Sequence, residues 1–196
     1  MKEFNIVVTG IGGQGALTLG MFIAEAAVKQ GYDVRTTELH GLAQRGGSIP
    51  VHIRLGENLH SAMVMEGEAD LVMSLEPLEG LRSAIYGSKK RKTTFIIDSE
   101  RFIPLTMSIN GEKYPSMEEV KKSLEGFSSK VLVVNASEAA IKETGSSISA
   151  NVFMIGYAVG KELIPIKKEF MLQALAEKKF FEVNKKLFEM GMNQKA

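Results

Sequence analysis

Apolar positions change rhythm along this chain in a way that predicts alternating strands and helices. Ile6-Val7-Val8 is a β-branched run ending at Thr9-Gly10, the pattern of a buried strand. Leu17, Met21, Ile23, Ala24, Ala27 and Val28 then recur at helical spacing, and the run closes near Gly31. Asp33 to Glu38 returns to strand, so strand, helix and strand predict a right-handed βαβ unit. Val51, Ile53 and Leu55 alternate with His52 and Arg54. That alternation predicts a strand covered on one face, with His52 and Arg54 on an open face toward a partner or water.

Further buried strands are expected at Leu71-Val72-Met73, Phe95-Ile96-Ile97-Asp98 and Val131-Leu132-Val133-Val134, with a helix from about Pro77 to Ile85. Between Arg101 and Met117 the rhythm lapses. Thr106 to Ile109, Asn110-Gly111 and Glu112 to Tyr114 read as a small hairpin around a type I′ turn. Ser116, with Glu119 three residues on, opens a capped helix to Leu124. Val152, Phe153, Ile155, Val159, Leu163 and Ile164 leave almost no polar face, so their helix should be buried, with Gly156 and Gly160 admitting another helix closely. Phe170 to Met190 forms a helical tail whose phenylalanines dock on the core or face a partner. The fold class expected is α/β: a Rossmann-like, mostly parallel sheet flanked by helices, with a hairpin excursion and a helical C-terminal tail. Residues 1–196 form one domain in this reading.

Composition narrows the function. Of 196 residues, 44% are hydrophobic and 24% charged, with net charge +1, so neither nucleic acid nor an anionic membrane is called for. The run Lys89-Lys90-Arg91-Lys92 lacks aromatic platforms and reads as a solvated loop. With no cysteine, thiol catalysis, disulfides and cysteine-ligated iron–sulphur clusters are excluded from this chain. Three scattered histidines make a metal site unpromising. No secretory pattern opens the chain, and the apolar stretch from Val152 to Ile166, broken by Lys161 and Glu162, is too short for a bilayer. A cytoplasmic, soluble protein is the expectation.

Gly10-Ile11-Gly12-Gly13-Gln14-Gly15 matches G-x-G-x-x-G between a strand and a helix. Glycines there permit a tight turn and let backbone N–H groups approach a phosphate, aided by the positive helix end. Glu38 closes the next strand, where a dinucleotide-binding fold places its ribose-binding acid. An independent NAD(P)- or flavin-dependent enzyme is therefore one reading. A glycine turn serving only helix–strand packing is the other, and the motif alone does not separate them. No residue set for hydride transfer accompanies it, and no catalytic acid or base is nominated.

The stretch His40-Gly41-Leu42-Ala43-Gln44-Arg45-Gly46-Gly47-Ser48 is the most distinctive in the chain. Together with the first loop it resembles the gamma-type domain of 2-oxoacid:ferredoxin oxidoreductases, whose first strand is followed by G-x-G-G-Q-G and second by a loop ending Arg-Gly-Gly. The wording is most similar to the beta-subunit branch that acts on indolepyruvate. The resemblance continues at Gly67-Glu68-Ala69-Asp70-Leu71-Val72, Glu76-Pro77, Asn151 to Gly160, and Phe181 to Gly191 with Asn184 central.

The resemblance implies an accessory subunit with no tightly bound cofactor. Its complex would oxidatively decarboxylate an arylpyruvate to an acyl-coenzyme A and reduce ferredoxin. Thiamine diphosphate and iron–sulphur clusters would reside on a large partner subunit; a homodimer of the isolated chain would be compatible with such a complex. Gly10, Gly12, Gly13, Gln14 and Gly15, with Gln44, Arg45, Gly46, Gly47 and Ser48, are the candidate binding residues. The N–H groups of Gly12, Gly13 and Gly15 would meet a coenzyme A phosphate, and Arg45 would pair with a phosphate or a partner carboxylate. Arg45 bonding Glu38 to hold the loop is the structural alternative.

Overall fold

A computed structural model describes residues 3–39, 41 and 46–195. These form six strands in one sheet, β1 (Glu3–Ile11), β2 (Asp33–Glu38), β3 (Ser48–Gly56), β4 (Leu71–Ser74), β5 (Thr94–Asp98) and β6 (Lys130–Val134). The spatial order is β2-β3-β1-β4-β5-β6. β1, β4, β5 and β6 run parallel, while β3 pairs antiparallel with both β1 and β2. β1 and β2 are thus parallel but not adjacent: the βαβ unit is real, with β3 slotted into it.

The helices are α1 (Ala16–Lys29), α2 (Pro77–Arg82), α3 (Leu105–Asn110), α4 (Met117–Leu124), α5 (Ala136–Thr144), α6 (Ala150–Gly160), α7 (Lys168–Ala176) and α8 (Phe181–Asn193). Ile6, Val8, Ile53, Leu71 and Met73 face one layer, formed by α1 and α5 through α8. Val7, Val72, Phe95 and Ile97 face the other, formed by α2 and α4. Period-two alternation in β1 thus feeds two cores. No helix among the described residues is long and apolar enough to cross a membrane.

The buried helix and the tail form the tightest contact. α6 and α8 cross where a Cβ on Gly156 would lie 2.0 Å from the Phe188 carbonyl oxygen, and one on Gly191 2.1 Å from that of Phe153. Only residues without a β-carbon permit that approach. It brings Leu187 and Phe188 to full burial, stabilising the fold by about 1.5–3 kcal/mol each. The tail is thus core, not an appendage.

Two expectations change. The segment 105–110 is the helix α3, closed by Gly111 at φ +67, and not the arm of a hairpin. The left-handed glycine that suggested a type I′ turn instead ends a helix, as glycine commonly does. The second correction is at His52, which is fully buried. The segment after β3 folds back over that strand face: the Val64 N–H donates to His52 Nδ1 at 3.2 Å, and the Tyr86 ring meets the imidazole edge-on at 4.9 Å. Arg54 pairs with Glu3 at 2.8 Å and donates to the Ser61 carbonyl at 2.8 Å. Neither side chain lies on an open face, because covering came from residues distant in sequence.

Candidate functional site

β1, β2, β4, β5 and β6 all end on one edge of the sheet, and β3 begins there. β1 leads into α1 on one face, whereas β4 leads into α2 on the other. That reversal opens a crevice beyond the ends of β1 and β4, the usual ligand position in open α/β sheets. The first glycine-rich loop sits in it.

The loop is held by its glutamine. Gln14 Oε1 accepts the Ile11 N–H at 2.9 Å, and Nε2 donates to the Leu75 carbonyl at 3.2 Å, tying the turn to the end of β4. Gly10, still in β1, packs so closely that a Cβ would lie 3.1 Å from Gln14 Oε1 and 3.2 Å from Leu75 Cβ. Gly15 takes φ +83 and begins α1; its carbonyl accepts from the Leu19 N–H at 2.9 Å and Asn151 Nδ2 at 3.2 Å. A side chain there would strain the backbone and strike Asn151. α1 has no side-chain cap and no acid in its first turn, so its positive end is uncompensated. The N–H groups of Gly13 and Gly15 donate to no described residue.

The end of the second loop lies directly on the first. The Gly12 N–H donates to the Gly47 carbonyl at 2.9 Å, and the Gly46 N–H to the Gly12 carbonyl at 3.4 Å. The contact extends the β1–β3 ladder, in which Ile11 faces Ser48. Gln44, Arg45 and His40 lie outside the described residues. Gly12 therefore has its N–H engaged, whereas Gly13 and Gly15 have no acceptor among the described residues.

This geometry overturns the dinucleotide reading. In a dinucleotide-binding fold the strand ending in the ribose-binding acid lies next to the glycine strand, and the second glycine lets the pyrophosphate approach. Here β3 separates β2 from β1, which sets Glu38 about 10 Å away, two strand spacings. Gly47 occupies the approach to Gly12. A G-x-G-x-x-G spacing reports a tight turn, but the strand neighbouring it is decided elsewhere in the chain.

Residues 5–194 match the family described as pyruvate ferredoxin/flavodoxin oxidoreductase. The chain belongs to this family. It is 40% identical over 195 residues to indolepyruvate oxidoreductase subunit IorB of Archaeoglobus fulgidus, covering 98% of this chain and 95% of that one. Pyruvate oxidoreductase subunit PORC of Thermotoga maritima superposes with a TM-score of 0.69 at 20% identity, covering 99% of this chain and 97% of that one. The 2-oxoglutarate:ferredoxin oxidoreductase of Magnetococcus marinus, solved with 2-oxoglutarate, coenzyme A and succinyl-CoA, superposes with a TM-score of 0.69 at 21% identity. There 97% of this chain matches 30% of the larger one. At such identities the shared feature is the fold.

On this family scaffold the structure adds residues that sequence reasoning passed over. Glu76 and Glu79 are both almost completely buried beside the crevice. Glu79 accepts from the Ser48 hydroxyl and pairs with Arg82, so the second loop is anchored to α2. Glu76 caps α2 by accepting the Glu79 N–H at 3.0 Å. Its other oxygen accepts from the Phe102 N–H at 3.3 Å and from the Tyr114 hydroxyl. Burial, then the adjacent Glu76 carboxylate, push the Tyr114 phenol far above its ordinary range, so it stays a neutral donor. Arg101 stands 5.8 Å over the Tyr114 ring. Glu76 therefore clamps the 101–114 excursion to the crevice. Pro77 was legible as a helix start; that Glu76 and Glu79 would both be buried was not.

Asp98 takes a structural role. Its carboxylate accepts from the Ala136 N–H at 3.0 Å and the Ser137 N–H at 3.1 Å, capping α5 from the end of β5. Burial raises its pKa above the ordinary value, partly offset by these donors. Among the described residues, no group of three or more histidine, aspartate or glutamate side chains is placed to hold a metal ion.

Proposed function

We propose that this chain is the accessory subunit of a cytoplasmic 2-oxoacid:ferredoxin oxidoreductase acting on an arylpyruvate such as indolepyruvate. The observation that carries this reading is the 40% identity, over nearly both full lengths, to an indolepyruvate oxidoreductase subunit. The reaction consumes the 2-oxoacid, coenzyme A and oxidised ferredoxin, and gives acyl-coenzyme A, carbon dioxide and reduced ferredoxin. Thiamine diphosphate and the iron–sulphur clusters, which supply decarboxylation and electron transfer when bound, belong to a larger partner subunit. This chain has no cysteine with which to ligate a cluster.

Its own contribution is binding and exclusion of water. The two loops close on each other through Gly12, Gly46 and Gly47, and together form a cover for the partner's active site. The N–H groups of Gly13 and Gly15, at the uncapped end of α1, suit a coenzyme A phosphate. Gln14 and Ser48 position the cover: one fixes the first loop to β4 and the other fixes the second to Glu79. Gln44 and Arg45, by residue type, would extend the polar contacts.

The test is anaerobic co-purification of the chain with its larger subunit, followed by assay of thiamine diphosphate, iron and labile sulphide. Reduction of an electron-accepting dye that depends on both indolepyruvate and coenzyme A supports the reading. A chain purified alone and carrying a nicotinamide or flavin nucleotide sinks it.

A further inference from the structure

The basic run Lys89-Lys90-Arg91-Lys92 reads by itself as a solvated loop, but the fold gathers further lysines around it. A cleft of about 610 Å³ opens where β5 and β6 begin, at the edge of the sheet opposite the crevice. Lys89, Lys121 and Lys130 line it, from the turn before β5, from α4 and from the start of β6. Lys90 and Lys92 stand exposed in the same turn as Lys89. That turn is fixed from inside: the buried Thr93 hydroxyl accepts the Ser88 N–H at 2.8 Å and donates to the Ala69 carbonyl at 2.6 Å. None of these five lysines has a carboxylate partner among the described residues, whereas Arg91 is engaged by Asp70 at 2.8 Å and Glu68 at 3.4 Å.

Glu125 is the acid in the lining. Including Lys122, Glu118 and Glu119 on the adjoining face of α4, six lysines stand against three glutamates, and Glu119 is already bonded to Ser116. The face is therefore positive at a distance. Its chemistry favours an acidic protein over a small anion. The Ser128 hydroxyl donates to the Leu124 carbonyl at 2.8 Å and that of Ser129 to the Lys92 carbonyl at 2.9 Å, so neither has a hydrogen left for a phosphate. α4 also ends here, with the negative end of its dipole. Recognition is left to ammonium groups spread over the rim on flexible stems. Val131 is the apolar residue of the lining, and lysine is depleted from stable interfaces, so the face suits a partner that arrives and leaves.

We infer that this face steers and docks a carboxylate-rich protein that binds transiently, which in a ferredoxin-reducing complex is the electron acceptor. The inference rests on the accessory-subunit reading. Its place opposite the crevice keeps it clear of the loops that cover the partner's active site.

The test uses the assembled complex with the combined substitutions Lys89→Glu, Lys121→Glu and Lys130→Glu, all at exposed positions. KM for an acidic ferredoxin at low salt is expected to rise roughly 10-fold or more, and the fall of kcat/KM with added salt to flatten. The rate with a small uncharged acceptor and KM for coenzyme A are expected to stay at wild-type values. The same charge change at Lys167, Lys179 and Lys195, exposed elsewhere on the chain, is expected to leave ferredoxin kinetics unaltered. Wild-type ferredoxin kinetics in the first variant overturn the inference, as does equal damage from the second, since net charge and not this face would then govern the encounter. Failure of the first variant to hold the larger subunit also overturns it, because the face would then be a stable interface. A wild-type complex without 2-oxoacid- and coenzyme A-dependent reduction of the uncharged acceptor sinks the accessory-subunit reading itself, whereas intact reduction of that acceptor with unaffected ferredoxin kinetics in the first variant sinks only the docking face.

Discussion

Replacing Gly156 by alanine tests whether the α6–α8 contact is as tight as the backbone geometry requires. For a solvent-exposed helix position, glycine to alanine stabilises by about 1 kcal/mol through helix propensity. Here the new Cβ would lie 2.0 Å from the Phe188 carbonyl oxygen and 2.8 Å from its carbonyl carbon. An unstrained carbon–oxygen contact needs about 3.3 Å, so the helices must part by more than about 1 Å. Backbone atoms in two packed helices cannot swing aside as a side-chain tip does. A gap of that size forfeits about a quarter to a half of each dispersion contact along the seam, which includes Leu187, Phe188, Phe153 and Tyr157. Overpacking costs about 1–3 kcal/mol and occasionally more; with backbone atoms on both sides the cost lies at about 3, and the propensity gain of about 1 leaves a net loss of about 2 kcal/mol. For a chain of this size that lowers the melting temperature by about 4–8 °C. Gly126→Ala is the control, since a Cβ there meets nothing within 4 Å and φ is ordinary; it is expected to be neutral or slightly stabilising. Thermal and urea unfolding of the three proteins measure the difference. Gly156→Ala as stable as wild type would refute the close-approach argument.

Three further outcomes follow from the site and the core. Burial lowers the pKa of His52 below its ordinary 6.5, so the unfolded chain takes up this proton first and stability should fall as the pH drops below 6.5; urea midpoints at pH 8 and pH 5.5 should diverge more in wild type than in His52→Gln, and equal divergence counts against the assignment. Glu76→Gln replaces one acceptor oxygen by an amide donor, which leaves either the Glu79 N–H or the Tyr114 and Phe102 donors without a partner; a loss of about 1–3 kcal/mol and faster tryptic cleavage at Arg101 or Lys113 are expected, and an unchanged digestion pattern argues against the clamp. Gly13→Ala places a side chain at φ +104 beside an N–H that has no acceptor among the described residues; in the assembled enzyme KM for coenzyme A should rise several-fold with KM for the arylpyruvate unchanged, and a parallel rise in both would remove the phosphate contact from the loop.

What the sequence determined by itself was local. Apolar runs at Ile6-Val7-Val8 and Phe95-Ile96-Ile97 specify strands because each buries both faces, and Ser116 with Glu119 specifies a helix start because the two side chains satisfy neighbouring N–H groups. The glycines at 156 and 160 announced a close helix neighbour because no other residue type tolerates one. The two glycine-rich loops were legible as a pair through ordered motifs, and the family with them. Only tertiary structure decided the rest. The insertion of β3 between β1 and β2 depends on long-range pairing, which local pattern does not encode, and it turned a dinucleotide-like motif into something else. Asn110-Gly111 suits a hairpin or a helix end equally, because both use a left-handed glycine, and in the fold it ends a helix. His52 looked exposed by alternation until the chain beyond β3 returned to cover it. For β3 and for His52 the deciding term was contact with residues far away in sequence, and such contact is a property of the folded whole.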